Sequence, residues 1–125
     1  MSIRLEKQKT DMTPYVLIDE SKRYMKLEGE SYHSNILEFF EDIRIWLDIF
    51  LKTDFDHFTF DCQLIYFNSS TVKLLLNLLR DMEHSKNSDR IVVNWIASGD
   101  NKMIIECGED FQEDLKNLTF NIVLN

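Results

Sequence analysis

Residues 68–71 read Asn-Ser-Ser-Thr and stand directly before the leucine-rich run Val72–Arg80. Three consecutive hydroxyls have two common uses. They cap the free amides of a helix start, or one of them accepts a phosphoryl group. The surroundings bear on the second use. The chain carries a formal net charge of −8, yet no Asp or Glu occurs between Cys62 and Arg80. A helix N-terminus is partly positive and favours a carboxylate by about 0.3–1 kcal/mol. Here the expected first turn holds only Ser69, Ser70 and Thr71, followed by Lys73. A phosphate on Ser69 would bring a charge of about −1.5 to −2 to that position, beside unpaired N–H groups. Lys73, four residues on, reaches the same helix face. Asn68 is the expected N-cap, and Ser70 and Thr71 are competing acceptors.

Other reactive residues converge less. His33, His57 and His84 fall in three separate loop or element-end positions, and no pair has the HxxxH or HxH spacing of a metal site. His57 could serve as a base held by Asp54 or Asp56, but such neighbours are common in polar loops. Cys62 and Cys107 are too far apart for a CxxC motif and sit in apolar contexts, as reduced core cysteines do. The acidic stretch 109–115 reads as the solvated face of a helix. There is no G-x-S-x-G, P-loop or G-x-G-x-x-G pattern. These observations support neither a catalytic residue nor a metal or other cofactor.

The elements that must position the hydroxyl cluster follow from periodicity. Residues 15–19 and 24–31 read as two short strands joined by the polar turn Glu20–Arg23, with Gly29 marking a bend or bulge. Ile36, Phe39, Phe40, Ile43, Leu47, Phe50 and Leu51 repeat at helical spacing, behind an Asn35–Glu38 pair that resembles a capping box. Residues 57–67 alternate, with Phe58, Phe60, Cys62, Leu64 and Tyr66 assigned to the core face and Phe67 to the other. The second helix is expected to bury Val72, Leu75, Leu76, Leu79 and Met82. A strand over 90–97, a helix carrying Ile104, Cys107, Phe111 and Leu115, and a strand over 119–124 complete the chain.

The order β-β-α-β-α-β-α-β describes an α/β (α+β) single domain over residues 1–125, with one mixed sheet and helices packed mainly on one face. Residues 1–12 are expected to be a loosely ordered N-terminal segment. The 125 residues, 44% of them apolar, suffice for one core. The acidic balance argues against nucleic acid and anionic membranes, and for a protein partner. With no hydrophobic signal region and no spanning run, the expected location is cytoplasmic.

The segments Gly29–Asn35 with Phe39–Phe40, Tyr66–Lys73, and Val93–Trp95 with Met103–Leu115 together resemble the SiaC family of bacterial regulatory phosphoproteins. The similarity runs from about Thr13 to the last strand. It implies a fold like that of anti-sigma-factor antagonists, the STAS-like domains, and a non-enzymatic role. It also implies phosphorylation by a Ser/Thr kinase with a histidine-kinase-like ATPase domain, and reversal by a PPM-type phosphatase. The unmodified form would bind and activate a diguanylate cyclase, influencing biofilm formation. The family's phosphorylated Thr follows the Asn of the corner and falls on Ser69. His33 stands where the family commonly has Pro. The expected docking surface comprises Asn68, Ser69, Ser70, Thr71 and Lys73 with the nearby turn Glu28, Gly29, Glu30, Ser31 and Tyr32. Ile45, Trp46 and Ile49 widen the apolar face of the first long helix, which reads first as burial on two sides; the alternative is a constitutive scaffold or oligomerisation module that uses an exposed Trp46 on that helix.

Overall fold

The computed structural model describes residues 2–125. It contains strands β1 (Arg4–Lys7), β2 (Tyr15–Asp19) and β3 (Tyr24–Ser31), helix α1 (Ile36–Leu51), β4 (Phe58–Phe67), α2 (Ser69–Glu83), β5 (Ile91–Ala97), α3 (Lys102–Asp114) and β6 (Thr119–Leu124). The strands form one six-stranded sheet in sequential order. The first three pair antiparallel, and β3 to β6 are parallel. Each helix connects neighbouring parallel strands, and every crossover steps the same way. Three such connections of the usual right hand place all the helices on one face.

Burial follows this geometry. Ile18, Met25, Phe60, Val93 and Phe120 lie side by side across five strands, and all are buried under the helices. The neighbouring row on the opposite face is Leu17, Lys26, Asp61, Asn94 and Asn121. There Asn121 Nδ2 donates to Asn94 Oδ1 (3.1 Å) and Asn94 Nδ2 to Asp61 Oδ1 (2.8 Å). Asp61 Oδ2 also accepts from the Tyr24 hydroxyl at 2.7 Å. Partial burial and this bond to a carboxylate push the Tyr24 phenol well above its usual range.

Several expectations change. Strand β1 adds a sixth strand before Tyr15, where no element was read. It pairs with β2 and is tied to α1 by Lys7, whose Nζ donates to the Phe39 carbonyl and pairs with Asp42 at 3.0 Å. The capping box does not form. Asn35 makes no side-chain bond to the helix amides; its Nδ2 instead meets the Glu38 carboxylate, and its own N–H donates to His33 Nδ1. Trp46 is only 7% exposed, stacked on Phe50, with its indole N–H donating to Glu20 Oε1 at 2.8 Å. The side chain expected to carry the scaffold interface therefore belongs to the core.

In α2 the buried set is Thr71, Leu74, Leu75, Leu78, Leu79 and Met82; Val72 and Leu76 sit at its edge. In α3 Gly108 is buried, and Cys107 packs against the edge of the core. A Cβ at Gly108 would lie 2.4 Å from Trp95 Cδ1, so the helix can approach this ring only without a side chain. Trp95 is held by its indole N–H, which donates to the Ile104 carbonyl at 2.8 Å.

Candidate functional site

The strand-to-helix corner forms where the hydroxyl cluster stands. Strand β4 ends at Phe67 and α2 begins at Ser69, with Asn68 extended between them (φ −93°, ψ 176°). Asn68 acts as the N-cap: its Oδ1 accepts from the Thr71 amide at 3.1 Å, and its carbonyl accepts from Val72 N–H at 3.1 Å. Ser69 and Ser70 supply the first two amides of the helix, which by geometry have no intrahelical acceptor. Both side chains are exposed, as is that of Lys73. No acidic residue occupies the first turn.

The cluster is not uniform. Thr71 is fully buried, and its Oγ1 donates to the Ser31 carbonyl at 2.9 Å. Ser31 is fully buried as well. Neither hydroxyl can meet a kinase or a partner from the surface, so Thr71 drops out as a competing acceptor and both drop out of the docking surface. The reason lies in pairing. Ser31 ends β3 opposite Phe67, which brings it under the first turn of α2. Ser70 lines a groove of about 400 Å³ between α1 and α2, with Leu37, Arg44, Lys73 and Leu74.

Of the segment Glu28–Tyr32, the first four residues form the end of β3 and only Tyr32 lies beyond it, with Glu28, Gly29 and Glu30 half-buried. Gly29 has φ +117°, a conformation that glycine adopts without strain. The pairing slips there: Gly29 opposes Leu64 while Glu30 opposes Tyr66, leaving Ile65 as the extra residue of a bulge. This slip reverses the expected faces at the end of β4. Phe67 turns into the core, 6.1 Å from the Trp95 ring, and Tyr66 turns out, 44% exposed. The Tyr66 ring packs edge-on against Tyr32 at 5.5 Å.

The bulge thereby builds an apolar rim that the alternation pattern concealed. Ile65 is 57% exposed, and its carbonyl accepts at 3.0 Å from Nδ2 of Asn101, which stands two residues before the exposed Met103 of α3. On the other side the Met12 carbonyl accepts from the Tyr32 and His33 amides, and the Met12 side chain is exposed. Met12, Tyr32, Ile65, Tyr66 and Met103 thus lie at the carboxyl ends of the parallel strands. This is the end at which open α/β sheets commonly bind. Surface apolar residues concentrated in one place mark interaction sites more often than scattered ones.

The alternative chemistry does not assemble. His57 is exposed, with Nδ1 3.1 Å from Asp56, whose carboxylate is engaged by Arg23 Nε at 2.6 Å. Although some desolvation pushes the Asp56 carboxyl up, the charges of Arg23 and His57 hold it below the usual range. Asp54 faces Arg90 at 3.4 Å. His33 and His84 lie on other elements. Glu109, Asp110, Glu113 and Asp114 occupy the exposed face of α3, as expected. Burial pushes the Cys107 thiol up to about 11 and the fully enclosed Cys62 thiol higher still. Among the described residues no group of three His, Cys, Asp or Glu could hold a metal ion, and no helix is long and apolar enough to cross a membrane.

Comparison with known proteins places this geometry. The description "SiaC family regulatory phosphoprotein" matches residues 7–125. The chain is 28% identical over 106 residues to an uncharacterized protein of Pseudomonas aeruginosa (strain UCBPP-PA14), covering 84% of each. It superposes on the crystal structure of apo-SiaC from Pseudomonas aeruginosa with a TM-score of 0.80 and 25% identity, over 98% of both chains. It also superposes on a chain in the crystal structure of the diguanylate cyclase SiaD with its activator SiaC, from the same organism. There the TM-score is 0.83 at 26% identity, over 96% of this chain and 97% of that one.

Proposed function

The chain belongs to the SiaC family of regulatory phosphoproteins, and we propose that Ser69 is its phosphorylation switch. In this reading a kinase with a histidine-kinase-like ATPase domain transfers the γ-phosphoryl group of ATP to Ser69 Oγ, releasing ADP and the hydroxyl proton. A PPM-type phosphatase hydrolyses the ester. The unmodified protein docks on a diguanylate cyclase, as SiaC does on SiaD, and acts by binding rather than by chemistry of its own in the cytoplasm.

One observation carries the reading. Ser69 is an exposed hydroxyl at the first position of a helix whose first turn has no carboxylate, next to the strand end that carries Tyr66. Phosphate there would sit near the two free amides and one turn from Lys73, so the fold tolerates it. The surface changes instead. A dianion at the rim of an apolar patch must be desolvated for a partner to close over it, at a cost of several kcal/mol per buried ion. Docking would therefore favour the unmodified form.

The reading is tested by incubating the protein with its cognate kinase and ATP, then mapping phosphate by peptide mass spectrometry. Modification of Ser69, abolished in Ser69→Ala, is the expected outcome. No phosphate on Ser69, or stoichiometric phosphate on another residue in its place, would overturn it.

A further inference from the structure

Ser31 and Thr71 are forty residues apart, yet their hydroxyls meet at 2.9 Å with both side chains fully buried. Two buried hydroxyls are an expensive way to fill space that Ala and Val would fill without desolvation. Their bonding is reciprocal. With Ser31 Oγ donating to Thr71 Oγ1, the Thr71 hydroxyl donates onward to the Ser31 carbonyl at 2.9 Å, with Asn68 Oδ1 also in reach at 3.1 Å. The same Ser31 carbonyl accepts from the Asn68 amide at 3.2 Å, and Asn68 Oδ1 caps the Thr71 amide. The end of β3, the cap residue and the third residue of α2 thus form one closed set of bonds.

Such a closure fixes rotation as well as position. Successive helical side chains point about 100° apart, so the rotation of the first turn decides which serine faces which surface. Ser70 faces the α1–α2 groove beside Leu37 and Leu74, whereas Ser69 lies outside that lining. We propose that the Ser31–Thr71 hydroxyl pair is a positioning device for phosphorylation, holding the first turn so that a kinase meets Ser69 and not Ser70. For its consequence this inference rests on the phosphorylation reading above. With the closure intact one hydroxyl is presented. With it broken the turn frays, and either serine can reach a kinase active site.

Thr71→Val removes the hydroxyl at nearly constant volume, Thr71→Ser keeps it, and Ser31→Ala breaks the pair from the other side. Amide hydrogen exchange of the full chain reads the closure without any kinase. In Thr71→Val, exchange at Asn68, Thr71 and Val72 should rise roughly tenfold or more relative to β4 and β5 amides, the size of one lost buried hydrogen bond. Treatment with the cognate kinase and ATP reads the consequence. Wild type and Thr71→Ser should carry phosphate almost wholly on Ser69, while Thr71→Val and Ser31→Ala should move the Ser70 share toward parity. Should Thr71→Val fail to fold, Ser31→Ala decides on both readouts. Unchanged exchange, or an unchanged Ser69-to-Ser70 ratio in a folded variant, overturns the positioning role alone. No phosphate on either serine of the wild type overturns the phosphorylation reading and this role with it.

Discussion

Replacing Asn68 by Ala should separate the residue that builds the corner from the one that switches it. Among the described residues, Asn68 Oδ1 is the side-chain acceptor of the Thr71 amide, at 3.1 Å. Removing an N-cap of this kind costs about 1 kcal/mol, with a range of about 0.5–2. The Thr71 hydroxyl adds little to that loss, because it keeps the Ser31 carbonyl at 2.9 Å and is not orphaned. For a chain of 125 residues, about 1 kcal/mol corresponds to a fall in Tm of roughly 3–6 °C. Asn68→Asp preserves the cap and should stay close to wild type. Ser69→Ala changes an exposed side chain that caps nothing, so its effect should lie within about 0.5 kcal/mol. Thermal and urea unfolding followed by circular dichroism measure all three, with equal m-values as the check that the same transition is compared. A loss in Ser69→Ala as large as in Asn68→Ala would refute the division of labour, as would a neutral Asn68→Ala.

Further outcomes follow from the packing and the ionisation of buried groups. Gly108→Ala drives a methyl into the Trp95 ring and should cost about 1–3 kcal/mol by overpacking, measurable as a lower urea midpoint. Trp46→Ala should cost about 3–5 kcal/mol because that ring is enclosed. Sedimentation should give wild type and Trp46→Ala the same oligomeric state; a state that changes in Trp46→Ala under native conditions would revive the scaffold reading. Tyr66→Ala should weaken binding to a cognate diguanylate cyclase while leaving the melting curve nearly unchanged, since the ring is largely outside the core. Cys107 ionises near 11 when folded and near about 8.5 when unfolded, so unfolding releases a proton between those values. Its contribution to stability is intact below pH 8.5 and falls as pH rises toward 11. At pH 8 the folded Cys107 is almost wholly the neutral thiol, so a disulfide reagent should label it slowly in the native protein and quickly in urea.

What could be read from the sequence was local. The Asn-Ser-Ser-Thr corner stands out because its cap, first turn and leucine spacing occupy a dozen consecutive residues, and the structure keeps that boundary at Ser69. The parallel strands and their helices also follow from period and length. Features that depend on a partner strand did not show. The bulge was half visible: Gly29 marked a bend, but only its pairing reveals Ile65 as the extra residue, and one slip exchanges Tyr66 for Phe67 in the core. Thr71 and Ser69 are neighbours of nearly the same chemistry, yet one is sealed by Ser31 from another strand and the other is free. Strand β1 is a short, charged edge whose pairing with β2 supplies what its own composition does not. Trp46 read as a potential interface because its partner, Glu20, lies 26 residues away.

The most direct measurement is a pair of binding isotherms for a cognate diguanylate cyclase, one with the unmodified chain and one with the chain quantitatively phosphorylated on Ser69. The two forms should melt alike, with phosphorylation weakening binding by roughly tenfold or more, since even a partly desolvated dianion costs at least about 1.4 kcal/mol at an interface. Equal affinities for the two forms would contradict the account.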